Sequence, residues 1–295
     1  MDKASLREYV INTPNLVTMK ESIAFPGVYV LKYKRKVFFD SLWNEFLEEC
    51  RGTLVDADFN VISRPFTKIY NYAVEASSPV LPDNTMVTAH RKVNGFMVAV
   101  TWHNDRLLIS TTGSTDSPFV AFARDVIGDN IRHYEDVCRA NPEITYLFEC
   151  VHPDDPHIVP EKVGMYLLGY REKTWDSNIE TGRNREFDAI LGTIPVESYR
   201  TTLGELLAEV KKVHHEGFVG YTDDNQSFKI KSPFYLASKF VARNPNTKKL
   251  FNPNAKEILD EEYYPLLSHL KANIDEFTAL SEQDRLAYVR KFLGA

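Results

Sequence analysis

The sequence predicts an α+β fold: a mainly antiparallel sheet body over residues 1–235, followed by a small helical appendage over residues 236–295. Three observations lead there. Short segments rich in valine, isoleucine and aromatic residues recur between turn signals from Gly27 to Ser232, the pattern of strands. Several are joined by short polar turns, which suit antiparallel neighbours and cannot make a parallel crossover. Beyond Pro233 the alternation stops and apolar residues take helical spacing.

Gly27–Tyr33 alternates and is rich in valine and tyrosine, hence a strand. It runs into Lys32, Lys34, Arg35 and Lys36, a basic cluster that reads as a solvated edge. Glu49–Asp56 and Val61–Phe66 read as a hairpin turning near Asp58-Phe59-Asn60. Met86–Arg91 is a strand that ends at Lys92. Gly95–Trp102 is a nearly continuous apolar run, too short for most helices, and so a buried strand; Arg106–Ser110 returns from it after His103-Asn104-Asp105. Asp116 or Ser117 caps a helix with Pro118 at its first position, running to about Val126, and a second helix covers Ile131–Arg139. Thr145–Val151 and Val163–Tyr170 are apolar strands, the first carrying Glu149. A helix over Leu203–Val213 follows Thr202. His215–Tyr221 and Ser227–Ser232 form a hairpin about Asp223-Asp224-Asn225, with Lys229 and Lys231 on one face and Phe228 and Ile230 on the other. Helical segments follow at Phe234–Val241, near Ala255–Glu262, at Leu266–Phe277 and at Ser281–Phe292, where Ser281 and Asp284 resemble a capping box.

At 295 residues, 43% hydrophobic and 26% charged, the chain has a soluble globular composition and can bury a full core. Its start, Met1-Asp2-Lys3-Ala4-Ser5, lacks the apolar stretch of a secretion signal, and no run approaches membrane-spanning length. Cys50, Cys138 and Cys150 are odd in number and widely spaced, so neither a disulfide framework nor a metal-ligand pattern is expected, and a reducing cytoplasm fits. A net charge of -6 excludes a generic basic nucleic-acid coat while leaving room for a local cationic groove.

The chemistry-bearing residues gather at strand ends and on strand faces: Arg51, Lys68, Lys92, Glu149, Glu216, Lys229 and Lys231. In Lys92-Val93-Asn94-Gly95, the glycine leaves room for a phosphate or sugar to approach the backbone. Taken singly, Lys92 reads as well as a solvated strand-end lysine. Lys229 and Lys231 repel each other on a shared face unless an anion or carboxylate lies between them. Glu149, amid apolar neighbours, needs a partner. Together the set suits ATP: cations for phosphates, one carboxylate for ribose hydroxyls and one for Mg2+. A free lysine, with a pKa of about 10.4, is a poor nucleophile at neutral pH. Two neighbouring lysines and a metal ion would favour its neutral form.

In order and spacing these residues resemble the covalent nucleotidyltransferase superfamily of nucleic-acid ligases and mRNA capping enzymes. Within it the chain is similar to the RNA ligase 1 family, typified by the phage T4 enzyme, over about Val28 to Tyr235. Lys92-Val93-Asn94-Gly95 matches motif I, Tyr146-Leu147-Phe148-Glu149 motif III, and Tyr166–Glu172 the strand motif after it. Glu216-Gly217-Phe218-Val219 matches motif IV and Phe228-Lys229-Ile230-Lys231-Ser232 motif V. Upstream, Glu49-Cys50-Arg51-Gly52 and Arg64–Tyr72 match elements particular to this ligase group; in DNA ligases the Arg-Gly follows the nucleophile. A single such motif is weak, whereas five or more in order are specific.

The resemblance implies an antiparallel-sheet nucleotidyltransferase domain, the ATP-grasp-like adenylation domain of ligases, over 1–235, with 236–295 as a helical C-terminal domain. It implies an ATP-dependent RNA ligase acting in RNA repair or tRNA processing, through lysyl-AMP on Lys92 and then an RNA-adenylate. Lys229 and Lys231 would neutralise the α-phosphate. Glu216 would hold Mg2+, with Mn2+ able to substitute. Glu149 would accept hydrogen bonds from the ribose, Arg51 and Lys68 would bind phosphate of ATP or of an RNA end, and Gly95 would belong to the ATP pocket. Tyr70, Tyr166 and Val219 are packing or stacking candidates. The implied partners are RNA with 5′-phosphate and 3′-hydroxyl ends and a separate end-healing enzyme, for a monomer off the membrane, in the host cytoplasm if viral. Two local departures stand out. Asn94 takes the place of a frequent aspartate, and Thr112 falls where relatives often carry lysine, so one phosphate cation is missing or supplied elsewhere. The C-terminal extension is shorter than in the phage T4 enzyme, so tRNA preference does not carry over. The alternatives are another covalent nucleotidyltransferase (an mRNA guanylyltransferase or a DNA ligase) or a non-catalytic RNA-binding module. No strand-like alternation after Pro233 suggests the OB-fold of the first, and intact Lys92, Glu216, Lys229 and Lys231 speak against the second.

Overall fold

The structure, a computed structural model, describes residues 2–74, 79–155, 157–181, 185–244, 246–252, 255, 259 and 261–294. Its strands in the first half are β1 (Val17–Glu21), β2 (Tyr29–Tyr33), β3 (Arg51–Val55), β4 (Val61–Ser63), β5 (Tyr70–Asn71), β6 (Met86–Arg91), β7 (Phe96–His103) and β8 (Arg106–Thr111). The remainder are β9 (Ile144–Val151), β10 (Gly164–Glu172), β11 (Ile179–Glu180), β12 (Ser198–Thr202), β13 (Gly217–Thr222) and β14 (Ser227–Lys231). The chain divides into two units. One comprises Met1–Lys68, Gly95–Pro156 and Glu161–Val196; the other comprises Ile69–Asn94, His157–Pro160 and Glu197–Ala295.

The first unit holds two antiparallel sheets, β1-β2-β3-β4 and β11-β10-β9-β7-β8. In the smaller sheet Leu31 faces Thr53 and Lys32 faces Arg51, which leaves Gly52 as the extra residue of a β-bulge. Gly52 has a φ of +98°, and a Cβ built on it would lie 2.8 Å from Thr112 Cα. Only glycine meets both demands, which explains the Arg-Gly pair. In the larger sheet, Val98, Val100, Phe148 and Leu167 pack against Val120, Ala123 and Tyr134 of the helices Pro118–Ile127 and Ile131–Ala140. Alternation therefore turns Glu149 to the opposite face.

This unit also buries a charged cluster that sequence reasoning missed. Glu49 accepts from Arg64 Nη2 at 2.6 Å and Nε at 3.1 Å, and Arg171 Nη2 lies 3.6 Å from the same carboxylate. Arg64 also donates to the Thr174 carbonyl, and Arg171 to the Pro65 carbonyl at 3.0 Å. Burial pulls the Arg171 guanidinium down to about 10, against the opposing pull of Glu49. Glu49→Gln keeps the shape but leaves two buried cations without their countercharge. The expected cost is about 3–5 kcal/mol, read as a lower urea midpoint at unchanged slope. A midpoint equal to the wild type would mean that the cluster is not buried as described.

The second unit carries the sheet β12-β6-β13-β14-β5, antiparallel except that β5 runs parallel to β14. Val87, Ala89, Phe218, Phe228 and Ile230 cover one face and pack against Leu203 and Leu206 of the helix Leu203–Glu209. Thr202 and Glu205 form a capping box at that helix, which stops at Glu209 and not at Val213. The helices Pro233–Arg243, Tyr264–Ala272, Ile274–Ala279 and Glu282–Phe292 contribute Phe240, Leu266, Leu270, Phe277 and Val289 to a shared core. The expected helix Leu266–Phe277 is thus two helices. At Asn273 (φ -128°, ψ 38°) the backbone leaves the helix, its N–H donating to the Leu270 carbonyl and its side-chain Nδ2 to the His269 carbonyl. Ser281 caps the last helix by accepting from the Asp284 amide. The expected helical segment near Ala255–Glu262 lies largely outside the described residues.

The strand and helix expectations otherwise match within a few residues. Cys50, Cys138 and Cys150 are free and buried, and burial pushes each thiol up to about 12. Among the described residues no helix is long and apolar enough to cross a membrane.

Candidate active site

In the second unit one sheet face collects the sequence-predicted lysines. Phe228 and Ile230 commit the other face of β14 to the core, so Lys229 and Lys231 must share the open one. Register sets Val219 and Asn71 beside Lys229, and Gly217 beside Lys231. Gly217 has a φ of +135°, and a Cβ on it would sit 2.0 Å from the Ile230 carbonyl oxygen, so the Glu-Gly pair of motif IV has a backbone cause. Lys92 leaves the end of β6 at the same place, its amide donating to the Gly217 carbonyl at 2.8 Å.

Lys92 Nζ lies 3.1 Å from Glu216 Oε1, and Glu216 is only 4% exposed. The other carboxylate oxygen accepts from Asn94 Nδ2 at 2.9 Å. Asn94 Oδ1 in turn accepts from the amides of Ile158 (3.1 Å) and Val159 (3.2 Å). Asn94 therefore needs both a donor and an acceptor end. An aspartate in this geometry would set its charge against Glu216. The arrangement holds the Lys92 ammonium beside a buried carboxylate within hydrogen-bond reach.

Lys231 pairs with Glu262, whose Oε2 also accepts from Asn71 Nδ2 at 3.4 Å. Glu262 belongs to the C-terminal helical region and carries no motif, so nothing in the sequence pointed to it. Tyr70 is opposite Phe228 in register, which sets it on the face away from the lysines.

In the first unit Glu149 is flanked by Met97 and Tyr166 in register and accepts from the Gly95 amide at 3.1 Å. The space that Gly95 leaves is filled by protein: a Cβ there would meet the Cys150 carbonyl oxygen at 2.3 Å. Tyr166 is buried and donates its hydroxyl to the Lys162 carbonyl at 2.7 Å. Lys68, 8% exposed, has its ammonium 4.3 Å from the Trp43 ring centroid and 5.5 Å from that of Phe38. Arg51 is half-buried opposite Lys32. Lys32, from the early basic run, thus faces Arg51, and β2 lies inside its sheet between β1 and β3 rather than at the solvated edge expected for that run.

No family model matches the sequence. Among solved structures, the chain is similar to a candidate ATP-dependent DNA ligase of Aquifex aeolicus, at 16% identity over 97% of this chain and 77% of that chain, with a TM-score of 0.60. It is also similar to two forms of an archaeal ATP-dependent RNA ligase, at 14% and 18% identity over 97% of this chain and 76% of that one, each with a TM-score of 0.58. The fold is thereby that of the ATP-dependent ligases, a mixed helix and antiparallel-sheet nucleotidyltransferase fold with a C-terminal helical region.

Proposed function

We propose that this chain is an ATP-dependent RNA ligase of the RNA ligase 1 type, joining RNA 5′-phosphate and 3′-hydroxyl ends. The observation that carries the reading is Lys92, held 3.1 Å from buried Glu216 at the end of the sheet face that bears Lys229 and Lys231. The Lys92 ammonium first gives up a proton, for which Glu216 Oε1 is in reach. The neutral amine forms an N–P bond to the α-phosphorus of ATP while the bond from phosphorus to the bridging oxygen breaks. Pyrophosphate leaves with that electron pair, and the nitrogen sheds a second proton to solvent. An RNA 5′-phosphate oxygen then displaces Lys92 to give the RNA-adenylate, and a 3′-hydroxyl displaces AMP from it.

Lys229 and Lys231 would neutralise charge on the α-phosphate, Glu149 would bind the ribose, and Arg51 and Lys68 would bind phosphate. A divalent ion, Mg2+ with Mn2+ able to substitute, would be held by one or two carboxylates together with water and substrate phosphates. Glu216, whose two oxygens already face Lys92 and Asn94, is the carboxylate beside the nucleophile. Among the described residues no group of three or more His, Cys, Asp or Glu side chains assembles around a metal, so substrate phosphates would supply the other ligands. When bound, the ion neutralises phosphate charge. Residues 1–235 would form the adenylation domain and 236–295 the helical domain, in an RNA-repair enzyme fed by an end-healing partner.

The test is ligation. With ATP, the protein should join 5′-phosphorylated single-stranded RNA, and GTP should not replace ATP. Sealing of nicked duplex DNA in preference to RNA, or labelling by GTP in preference to ATP, would replace this reading by the DNA ligase or guanylyltransferase one.

A further inference from the structure

Lys32 on β2 and Arg51 on β3 are directly opposite each other across the Gly52 bulge. Like charges so placed repel unless an anion lies between them. Among the described residues neither forms an ion pair with a carboxylate, and the neighbouring Glu49 is committed to Arg64 and Arg171. Lys32 is exposed and Arg51 half-buried, so a ligand from solvent can reach both.

The two cations border the turn after β8. Gly52 brings β3 against Thr112, and the Lys32 ammonium is 2.7 Å from where a Cβ on Gly113 would be. Any side chain at residue 113 would push that ammonium away. The turn is braced from within: the Thr111 amide donates to the Ser114 carbonyl at 2.9 Å, and the Asp116 amide to Ser114 Oγ at 2.9 Å. One glycine at a close approach to backbone (Gly52), a second that leaves room for the Lys32 ammonium (Gly113), a braced turn and two unneutralised cations in register describe a preformed anion cradle rather than a random basic edge.

We propose that Lys32 and Arg51 form a phosphate-binding site over Thr112–Gly113. The site depends on the ligase reading only for the source of its phosphate, which is either the triphosphate of ATP or the 5′-phosphate of the RNA.

Full-length protein with Lys92→Ala, which blocks turnover, is titrated calorimetrically with ATP, with inorganic tripolyphosphate, and with one RNA oligonucleotide in 5′-phosphorylated and 5′-hydroxyl forms. Adding Lys32→Ala should weaken one class by about tenfold, as expected for loss of one charge-assisted bond. ATP and tripolyphosphate weaken together if the site holds the triphosphate. The 5′-phosphorylated RNA falls to the level of its 5′-hydroxyl twin if it holds the RNA end. Lys36→Ala, a neighbour in the same basic run, should change neither. Thr112→Lys added to Lys32→Ala should restore the lost affinity, and Lys32→Ala should melt at the parent temperature. Equal binding of all four ligands by the Lys32→Ala and Lys36→Ala proteins would overturn the site. So would a parent that binds neither tripolyphosphate nor the RNA 5′-phosphate. If tripolyphosphate binding depends on Lys32 but wild-type protein forms no lysyl-AMP, the ligase reading fails and the anion site stands.

Discussion

Glu216→Gln is expected to lower covalent nucleotide transfer to Lys92 by at least about 100-fold, the usual scale for removing a positioned acid or base. The substitution keeps the size of the side chain and one acceptor oxygen, so the fold around it has little reason to change. What disappears is the negative charge 3.1 Å from Lys92 Nζ, and with it the base that can relieve Lys92 of a proton and the carboxylate proposed for the metal. Glutamine keeps one acceptor oxygen for two donors, Lys92 Nζ and Asn94 Nδ2, so its NH2 group faces one of them, and Asn94 cannot turn its Oδ1 to meet it because the Ile158 and Val159 amides hold that oxygen. Labelling of Lys92 with radioactive ATP in a single turnover reads the effect. A Glu216→Gln protein that melts normally and labels at the wild-type rate would remove Glu216 from the chemistry.

Gly95→Ala is expected to act on the fold first. The added methyl carbon would lie 2.3 Å from the Cys150 carbonyl oxygen and 3.1 Å from Glu149 Cγ. Carbonyl oxygens inside a sheet cannot swing aside as a side-chain tip can, so β7 and β9 would have to separate. Overpacking a well-packed site costs about 1–3 kcal/mol, occasionally more; a backbone clash of this depth belongs at the upper end or beyond. The Gly95 amide bond to Glu149 would be strained with it. Thermal unfolding checks this: the variant should melt several degrees below wild type, or fail to accumulate as folded protein. A Gly95→Ala protein as stable as wild type would show that the close approach is wrong.

The contrast between these two positions shows what was legible in the sequence. Strands whose two faces differ were readable, because burial writes a period of two: β6, β7, β9 and the β13–β14 hairpin were each predicted within one or two residues. β12 was not, because Ser198-Tyr199-Arg200-Thr201-Thr202 is an edge strand with no wholly buried residue to mark its pattern. β5 is two residues long and lends its backbone to β14 without a pattern of its own. The short helices Arg35–Phe39 and Glu45–Glu49 are likewise shorter than the windows that reveal helical spacing.

At the site, Lys92, Glu216, Lys229 and Lys231 were legible because each sits in a short motif and the motifs follow one another in the order of the resembled family. Long-range partners were invisible. Glu262 is 31 residues from Lys231, and the Ile158 and Val159 amides that orient Asn94 are backbone groups, which a sequence never displays. The asparagine that looked like a departure from the family pattern becomes, in the structure, the residue that holds Glu216. The glycine expected to make room for a ligand makes room for the Cys150 carbonyl.

The most direct test of the ligase account is incubation of the full-length protein with ATP labelled at the α-phosphate and a divalent cation, followed by denaturing electrophoresis and peptide mapping. The account predicts one covalent adenylate, on Lys92, released by added pyrophosphate and absent from Lys92→Ala. A folded wild-type protein that takes no label, or a Lys92→Ala protein that labels as well as wild type, would contradict it.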